Sequence, residues 1–159
     1  ARVGEVLYRT AKELQGYISK LEEIRVPVIA AVHGGVIGGA LDLITACDMR
    51  FASNDAFFCI QEINIGMAAD VGTLQRLPKI IPDSKMREMA YTGRRMLADE
   101  AKDSGLVGEI YETQDEMLDA VHKLAAEIAS KSPVAIYGLK AVMNYSRDHN
   151  VSDLSLIHI

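Results

Sequence analysis

Apolar side chains recur at helical spacing near the start of the chain and then give way to a short apolar run. Residues 4–24 keep one apolar stripe, which predicts an amphipathic helix that Pro27 must end. The run "PVIAAV" at residues 27–32 is partly β-branched and bounded by turn residues, and it therefore predicts a buried strand. The apolar positions of the helical stripe are Leu7, Leu14, Ile18 and Leu21.

The middle of the chain alternates short apolar segments with glycine-rich and polar breaks. "HGG" predicts a turn and "GGALDLITAC" a short buried helix. "MRFAS" and "AFFCI" predict two short strands around the turn "SNDA". A loop is expected through Gly66, followed by a helix that opens between Asp70 and Gly72.

Helical periodicity dominates the C-terminal part. Gly93 and Gly105 are expected to end two helices, and Pro133 to begin another. Helices that alternate with short strands favour an α/β fold. The helices expected here cover residues 83–92, 98–104, 113–132 and 133–145, with the strand "VGEIY" between the second and the third.

The amino-acid composition limits the classes of protein to which the chain can belong. The chain has 159 residues, 49% of them hydrophobic and 25% charged, which fits one globular domain with a substantial core. A net charge of -5 argues against a nucleic-acid partner, and no apolar run is long enough for a membrane span. Cys47 and Cys59 lie in apolar segments outside any C-x-x-C pair, which predicts buried thiols in a reducing compartment.

The stretch "HGGVIGGALDL" places four glycines within six residues, between an apolar run and a helix. Neither G-x-G-x-x-G nor a G-K-[ST] ending occurs in it, so a nucleotide-binding loop is not indicated. Glycines at a helix start leave N–H groups free for an anion or a developing oxyanion. Close packing of the helix on the strand is the simpler alternative, and the spacing leaves both interpretations open.

Three carboxylates, Asp42, Glu62 and Asp70, stand in apolar stretches, where an ionised group is costly unless it is paired or used. Asp70 alone could simply cap the helix that follows it. Asp48 and Asp55 are interpreted as turn residues. Together with the glycine turn, the three acids predict donors that hold an enolate and carboxylates that move protons.

Several separated blocks resemble the crotonase superfamily, the enoyl-CoA hydratase/isomerase family. The blocks are "PVIAAVHGGVIGGALDLITACDMRFAS", "FFCIQEINIGMAADVGTLQRLPKII", "ADEAKDSGLVGEI" and "SKSPVAIYGLK". They follow one another in the family's order and span residues 27–147. The resemblance implies an α/β fold with a partial ββα spiral core and C-terminal helices.

Within the superfamily the chain looks most like the dienoyl-CoA isomerases. Hydratases carry glutamates at the positions that match Asp42 and Glu62, and a small residue where this chain has Asp70. Asp42 and Glu62 are 20 positions apart, and Glu62 and Asp70 are 8 apart, which fits the isomerase pattern. The resemblance implies that Glu62 and Asp70 transfer protons, that Asp42 supports Glu62, and that Gly39 donates one oxyanion hydrogen bond.

The implied reaction moves the double bonds of a 3,5-dienoyl-CoA to positions 2 and 4, a step of fatty-acid β-oxidation. A proton leaves C2 and another arrives at C6, and the thioester makes the C2 proton acidic. Two carboxylates and an oxyanion hole suffice for this chemistry. No metal or other cofactor is therefore expected, since CoA is part of the substrate.

The chain also departs from the family pattern. Ala40 replaces the family's third glycine. Residues 1–159 are expected to form a single crotonase-like domain that lacks its N-terminal half and part of its C-terminal helical region. Such a piece would expose apolar surface, including Leu154, Leu156 and Ile157. At full length the resemblance implies a homotrimer or hexamer in mitochondria or peroxisomes, or in the cytoplasm of a bacterium.

Two other functions stay open. The chain could be a non-catalytic crotonase-like fragment or subunit that only packs in an oligomer, or it could be an enoyl-CoA hydratase, against which Asp70 argues. His33 could face the pocket or serve as a structural hydrogen-bonding group. The basic pair in "TGRRM" could meet CoA phosphates or simply be solvated.

Overall fold

The computed structural model describes residues 2–150, in which helices alternate with short strands. Leu154, Leu156 and Ile157 lie outside the described residues. Short 3₁₀ helices cover Glu62–Ile65 and Leu77–Lys79. The regular elements, in chain order, are α1 (Arg2–Glu23), β1 (Ile29–Val32), β2 (Gly35–Ile37), α2 (Gly39–Thr45), β3 (Met49–Ser53), β4 (Phe57–Cys59), α3 (Thr73–Arg76), α4 (Asp83–Thr92), β5 (Arg95–Leu97), α5 (Ala98–Asp103), β6 (Glu109–Tyr111), α6 (Gln114–Ala129) and α7 (Pro133–Ser146).

Two small sheets organise the described residues. One has the parallel order β1-β3-β6, with Val32 opposite Ala52 and Ala52 opposite Ile110. The other has the order β2-β4-β5, in which β2 and β4 run parallel and β4 and β5 antiparallel. Parallel neighbours need crossover connections, and β2 together with α2 forms the one between β1 and β3. Successive strand–strand–helix units therefore wind into a spiral.

The core lies between these units. α6 closes one side of it, with Met117 fully buried and Val121 nearly so, as its amphipathic pattern predicted. Cys47 and Cys59 are free and buried, as expected, and burial raises the pKa of each thiol. The largest fully buried core side chains are Phe58, Leu41, Leu77, Met89, Met96 and Leu106.

The sequence analysis did not predict two strands, β2 and β5. β2 begins at Gly35, inside the stretch "HGG" that was expected to be a turn. Within "HGG" only Gly34 takes a left-handed conformation, with φ 61°. Gly35 pairs in the strand, and a Cβ atom there would lie 2.8 Å from the Phe57 ring. β5 places the fully buried Met96 against Phe58.

The chain around α1 also differs from expectation. α1 covers the predicted helix, but Leu7 and Leu14 of its apolar stripe are exposed, while Leu21 packs against the core. The helix predicted to open between Asp70 and Gly72 has Gly72 as its cap residue and begins at Thr73, at the end of the predicted range.

Asp48 lies in the bend between α2 and β3, as expected, and it also belongs to a largely buried ion pair. Lys140 on α7 is 3% exposed, and its ammonium donates to Asp48 Oδ2 at 2.8 Å. Lys140 also donates to the carbonyls of Leu21 and Val26, and Asp48 Oδ2 accepts from the Val28 N–H. This cluster joins α7 to the end of α1 and to the start of β1.

Candidate active site

The turn between β2 and α2 presents a hydrogen-bond donor. Gly38 lies there with φ 54° and donates its N–H to the Cys59 carbonyl at 3.0 Å. Gly39 follows as the first residue of α2, where a helix offers no internal acceptor for the N–H. Within residues 2–150 no acceptor lies within hydrogen-bonding reach of the Gly39 N–H, and space is open beside its Cα.

Glu62 lies directly against this turn. β4 ends at Cys59, and Glu62 begins the 3₁₀ helix that follows. A Cβ atom on Gly38 would lie only 3.1 Å from Glu62 Oε1, so the absence of a side chain at Gly38 makes room for the carboxylate. Glu62 Oε2 is buried and has no hydrogen-bond partner among the described residues. A buried acceptor in this state is available to exchange a proton with a bound molecule.

The Glu62 turn is anchored to the end of α4. Asn64 Nδ2 donates to the Gly93 carbonyl at 3.2 Å and to Gln61 Oε1 at 3.1 Å. A Cβ atom on Gly93 would lie 2.5 Å from Asn64, so the glycine that ends α4 also admits this side chain. The sequence prediction found Gly93 as a helix end but missed Asn64, because the two residues are 29 positions apart.

The Asp42 side chain accepts a hydrogen bond from Thr73, whereas the resemblance implied Glu62 as its partner. Its side chain is 1% exposed, and Oδ1 accepts the Thr73 N–H at 2.6 Å. Among residues 2–150 no hydrogen bond joins Asp42 to Glu62, so its support of Glu62 stays a prediction. The alternative role of Asp70 as a helix cap is wrong, because Gly72 is the cap residue of α3 and Asp42 supplies the capping oxygen.

Asp70 lies in the irregular segment that leads to α3. The residue is exposed, and its carbonyl accepts from Gln15 Nε2 of α1 at 2.6 Å. It lines a polar cavity of about 910 Å³ between α1, α3 and α7. The structure thus brings Glu62 to the Gly38–Gly39 turn and joins Asp42 to the segment that carries Asp70. Within the described residues no hydrogen bond joins the three carboxylates to one another.

The basic pair of "TGRRM" is engaged inside the chain. Arg94 donates to both Glu88 and Glu100, which also accepts from Lys85. The hydrogen bonds from Arg94 and Lys85 lower the pKa of Glu100 to about 2. The Arg95 guanidinium lies 4.3 Å from the centre of the Phe57 ring. These contacts leave little reason to assign the pair to a substrate phosphate.

His33, the histidine that could have faced the pocket, is exposed directly after β1. No group of three or more histidine, cysteine, aspartate or glutamate side chains within residues 2–150 is arranged to hold a metal ion. In the same range no helix has both the length and the apolar character that crossing a bilayer requires.

The spiral of strand–strand–helix units and the donor turn facing a carboxylate define the class of protein. The sequence profile of the enoyl-CoA hydratase/isomerase family matches residues 7–155. The chain belongs to this family, which confirms the expected fold and lineage.

Curated relatives that the chain matches include two dienoyl-CoA isomerases. The chain is 51% identical to the mitochondrial Δ(3,5)-Δ(2,4)-dienoyl-CoA isomerase of Rattus norvegicus, over 96% of this chain and 47% of the relative. It is 47% identical to the peroxisomal enzyme of that name from Arabidopsis thaliana, over 94% of this chain and 54% of the relative. The chain therefore spans about half the length of the curated relatives it matches.

Solved structures agree on the fold. A probable enoyl-CoA hydratase/isomerase from Mycobacterium abscessus superposes with a TM-score of 0.92 at 32% identity, covering 97% of this chain and 60% of that one. The enoyl-CoA hydratase of Bacillus anthracis superposes with a TM-score of 0.90 at 29% identity, covering 96% and 59%.

Proposed function

We propose that the protein containing this chain is an isomerase that converts 3,5-dienoyl-CoA to 2,4-dienoyl-CoA in fatty-acid β-oxidation. One observation carries the proposal: the buried, unpartnered Oε2 of Glu62 lies beside a glycine turn whose Gly39 N–H is open. Asp70, at the position where the resemblance expects the second proton-transferring acid, favours isomerisation over hydration. The names of the relatives from rat and Arabidopsis support the same substrate.

The reaction needs a site for negative charge on the thioester oxygen. The Gly39 N–H, at the positive end of α2, donates to this oxygen as the C2 proton leaves. The electron pair of the broken C–H bond delocalises through the diene onto the oxygen. When the pair returns, a proton bonds to C6, and the double bonds lie at positions 2 and 4.

Glu62 and Asp70 move the two protons. One carboxylate takes the proton from C2, and the other, in its acid form, delivers one to C6. The proton count balances without an oxidant or a reductant, so the proposal includes no metal and no cofactor apart from the CoA of the substrate.

The assembly and location follow the same resemblance. We propose a homotrimer or hexamer at full length, in the mitochondrial matrix or the peroxisome, or in the cytoplasm if the source is bacterial. The mitochondrial and peroxisomal names of the relatives support the first two locations.

Two alternatives have an observation in their favour. Gly39 and Asp70 are exposed in this chain, which suits a non-catalytic fragment or subunit whose site needs further covering. The likeness to the hydratase of Bacillus anthracis favours a hydratase.

A direct assay separates these functions. The full reading frame that contains the chain is incubated with 3,5-dienoyl-CoA, and the ultraviolet change on isomerisation is followed; hydration of 2-enoyl-CoA is measured in parallel. Glu62→Gln keeps the size of the side chain but cannot carry a proton, so we expect kcat to fall about 10²–10⁴-fold. The matched control is Glu112→Gln, an exposed position. Hydration without isomerisation, or equal activity of both variants, would contradict the proposal.

A further inference from the structure

The segment that carries Asp70 has no regular structure of its own. Residues 66–72 link the 3₁₀ helix to α3, and Ala69 and Gly72 are their buried members. Near its start the Met67 N–H donates to the Glu62 carbonyl at 2.9 Å. A proton-transferring residue on such a segment needs its backbone fixed, because a displacement of about 1 Å can cost about 10²-fold in rate.

The far end of this segment is fixed by Asp42. The first N–H groups of a helix lack internal partners, and Gly72, the cap residue of α3, has no side chain to offer. Asp42 Oδ1 accepts the Thr73 N–H at 2.6 Å, and both residues are 1% exposed. This bond is charge-assisted and removed from water, so it is a strong tie between α2 and α3.

A second tie comes from α1. Gln15 Nε2 donates to the Asp70 carbonyl at 2.6 Å, on the side where Asp70 lines the polar cavity. The backbone around Asp70 is thus held by one bond to its own carbonyl and by another to Thr73, three residues later.

We propose that Asp42 and Gln15 are positioning residues for Asp70, rather than members of the proton-transferring set. One oxygen of the Asp42 carboxylate accepts the Thr73 N–H. This hydrogen bond fixes the position of α3 and of the segment before it. The inference rests on the proposed isomerase function, and it gives Asp42 a different task from the support of Glu62 that the resemblance implied.

The test compares Asp42→Asn with Asp42→Ala in the full reading frame. The asparagine Oδ1 can still accept the Thr73 N–H, whereas the alanine variant cannot. We expect kcat for dienoyl-CoA isomerisation to stay within about threefold for Asn and to fall about 10- to 100-fold for Ala, with KM changed less than about twofold in both. Hydrogen exchange of the peptide covering residues 66–77 should accelerate in the Ala variant and not in the Asn variant.

Gln15 supplies a second variant at a half-buried position outside the hydrophobic core, where loss of the side chain does not threaten the core. Gln15→Leu should lower kcat several-fold at unchanged KM, while Gln114→Leu, at an exposed position on α6, should leave kcat unchanged. If Asp42→Ala does not fold, Asp42→Asn and Gln15→Leu still decide the question.

Three results would overturn the inference. One is an Asn variant as inactive as the Ala variant while its segment stays protected, since the charge of Asp42 would then act in the chemistry. The others are parent-like kcat in both Asp42→Ala and Gln15→Leu, and unchanged exchange in Asp42→Ala. A parent without isomerase activity would instead contradict the proposed function, and the exchange comparison would still test the tie between Asp42 and Thr73.

Discussion

At the scale of single residues, the difference between the three acids is what their oxygens contact. The Asp42 carboxylate accepts a backbone N–H, whereas Glu62 keeps a buried oxygen with no partner among the described residues. Asp70 is exposed, and its described hydrogen bond runs through its carbonyl. Burial and hydrogen-bond partners, which the sequence does not display, therefore distinguish Asp42 from the two acids that we propose transfer protons.

Asp70→Asn should abolish most isomerisation with little effect on substrate affinity. Asparagine keeps the size of the side chain but neither takes nor gives the proton, and the backbone bond to Gln15 is untouched. General acid–base groups contribute about 10²–10⁴-fold, so kcat should fall by that factor, about 3–5 kcal/mol. Steady-state kinetics and a binding titration with a CoA thioester measure the two effects. A kcat within about threefold of the parent would leave Glu62 as the sole proton-transferring acid.

At the scale of elements, hydrophobic periodicity predicted those helices and strands that a local sequence pattern can specify. α4, α6 and α7 begin or end where the proline, glycine and cap signals placed them, and β3 covers the predicted "MRFAS". β2 and β5 have three residues each, and their existence depends on pairing with β4, so no local period could reveal them. The same limit applies to the site, where Asp42 was found as a costly acid but its partner lies 31 positions away.

The buried pair of Lys140 and Asp48 is expected to be a main stabilising link between elements. Lys140→Met would leave Asp48 without its countercharge, and removal of one partner of a buried pair typically costs about 3–5 kcal/mol. Equilibrium unfolding by urea measures the loss. Lys131→Met, which removes an exposed ion pair with Glu127, is the matched control and should cost at most about 1 kcal/mol.

The double variant Asp48→Asn, Lys140→Met refines this prediction. With the charge of Asp48 also gone, part of the stability should return. If Lys140→Met is as stable as Lys131→Met, the buried pair contributes little and the joint between α7 and β1 is held by apolar packing instead.

At the scale of the whole molecule, the chain presents much apolar surface on its outer helices. Exposed apolar side chains of this density mark surfaces that associate. They lie on α1 at Val3, Val6, Leu7, Tyr8 and Tyr17, and on α7 at Val134, Leu139 and Met143.

The 159-residue chain on its own should therefore associate in solution. Size-exclusion chromatography should show species larger than the 17.4 kDa monomer. Val6→Lys with Leu7→Lys should shift the distribution toward the monomer, whereas Glu13→Lys, at an exposed polar position of the same helix, should not. A parent chain that elutes as a monomer at all concentrations would contradict this account of the surface.

The central claim is that two protons move at opposite ends of a diene, and isotope labelling tests it most directly. The full reading frame is given 3,5-dienoyl-CoA in D₂O, and the product is analysed by NMR. The account predicts a 2,4-dienoyl-CoA with one deuterium at C6, because a carboxylate that exchanges with solvent delivers that proton. A 3-hydroxyacyl-CoA product, or a 2,4-dienoyl product without deuterium at C6, would contradict it.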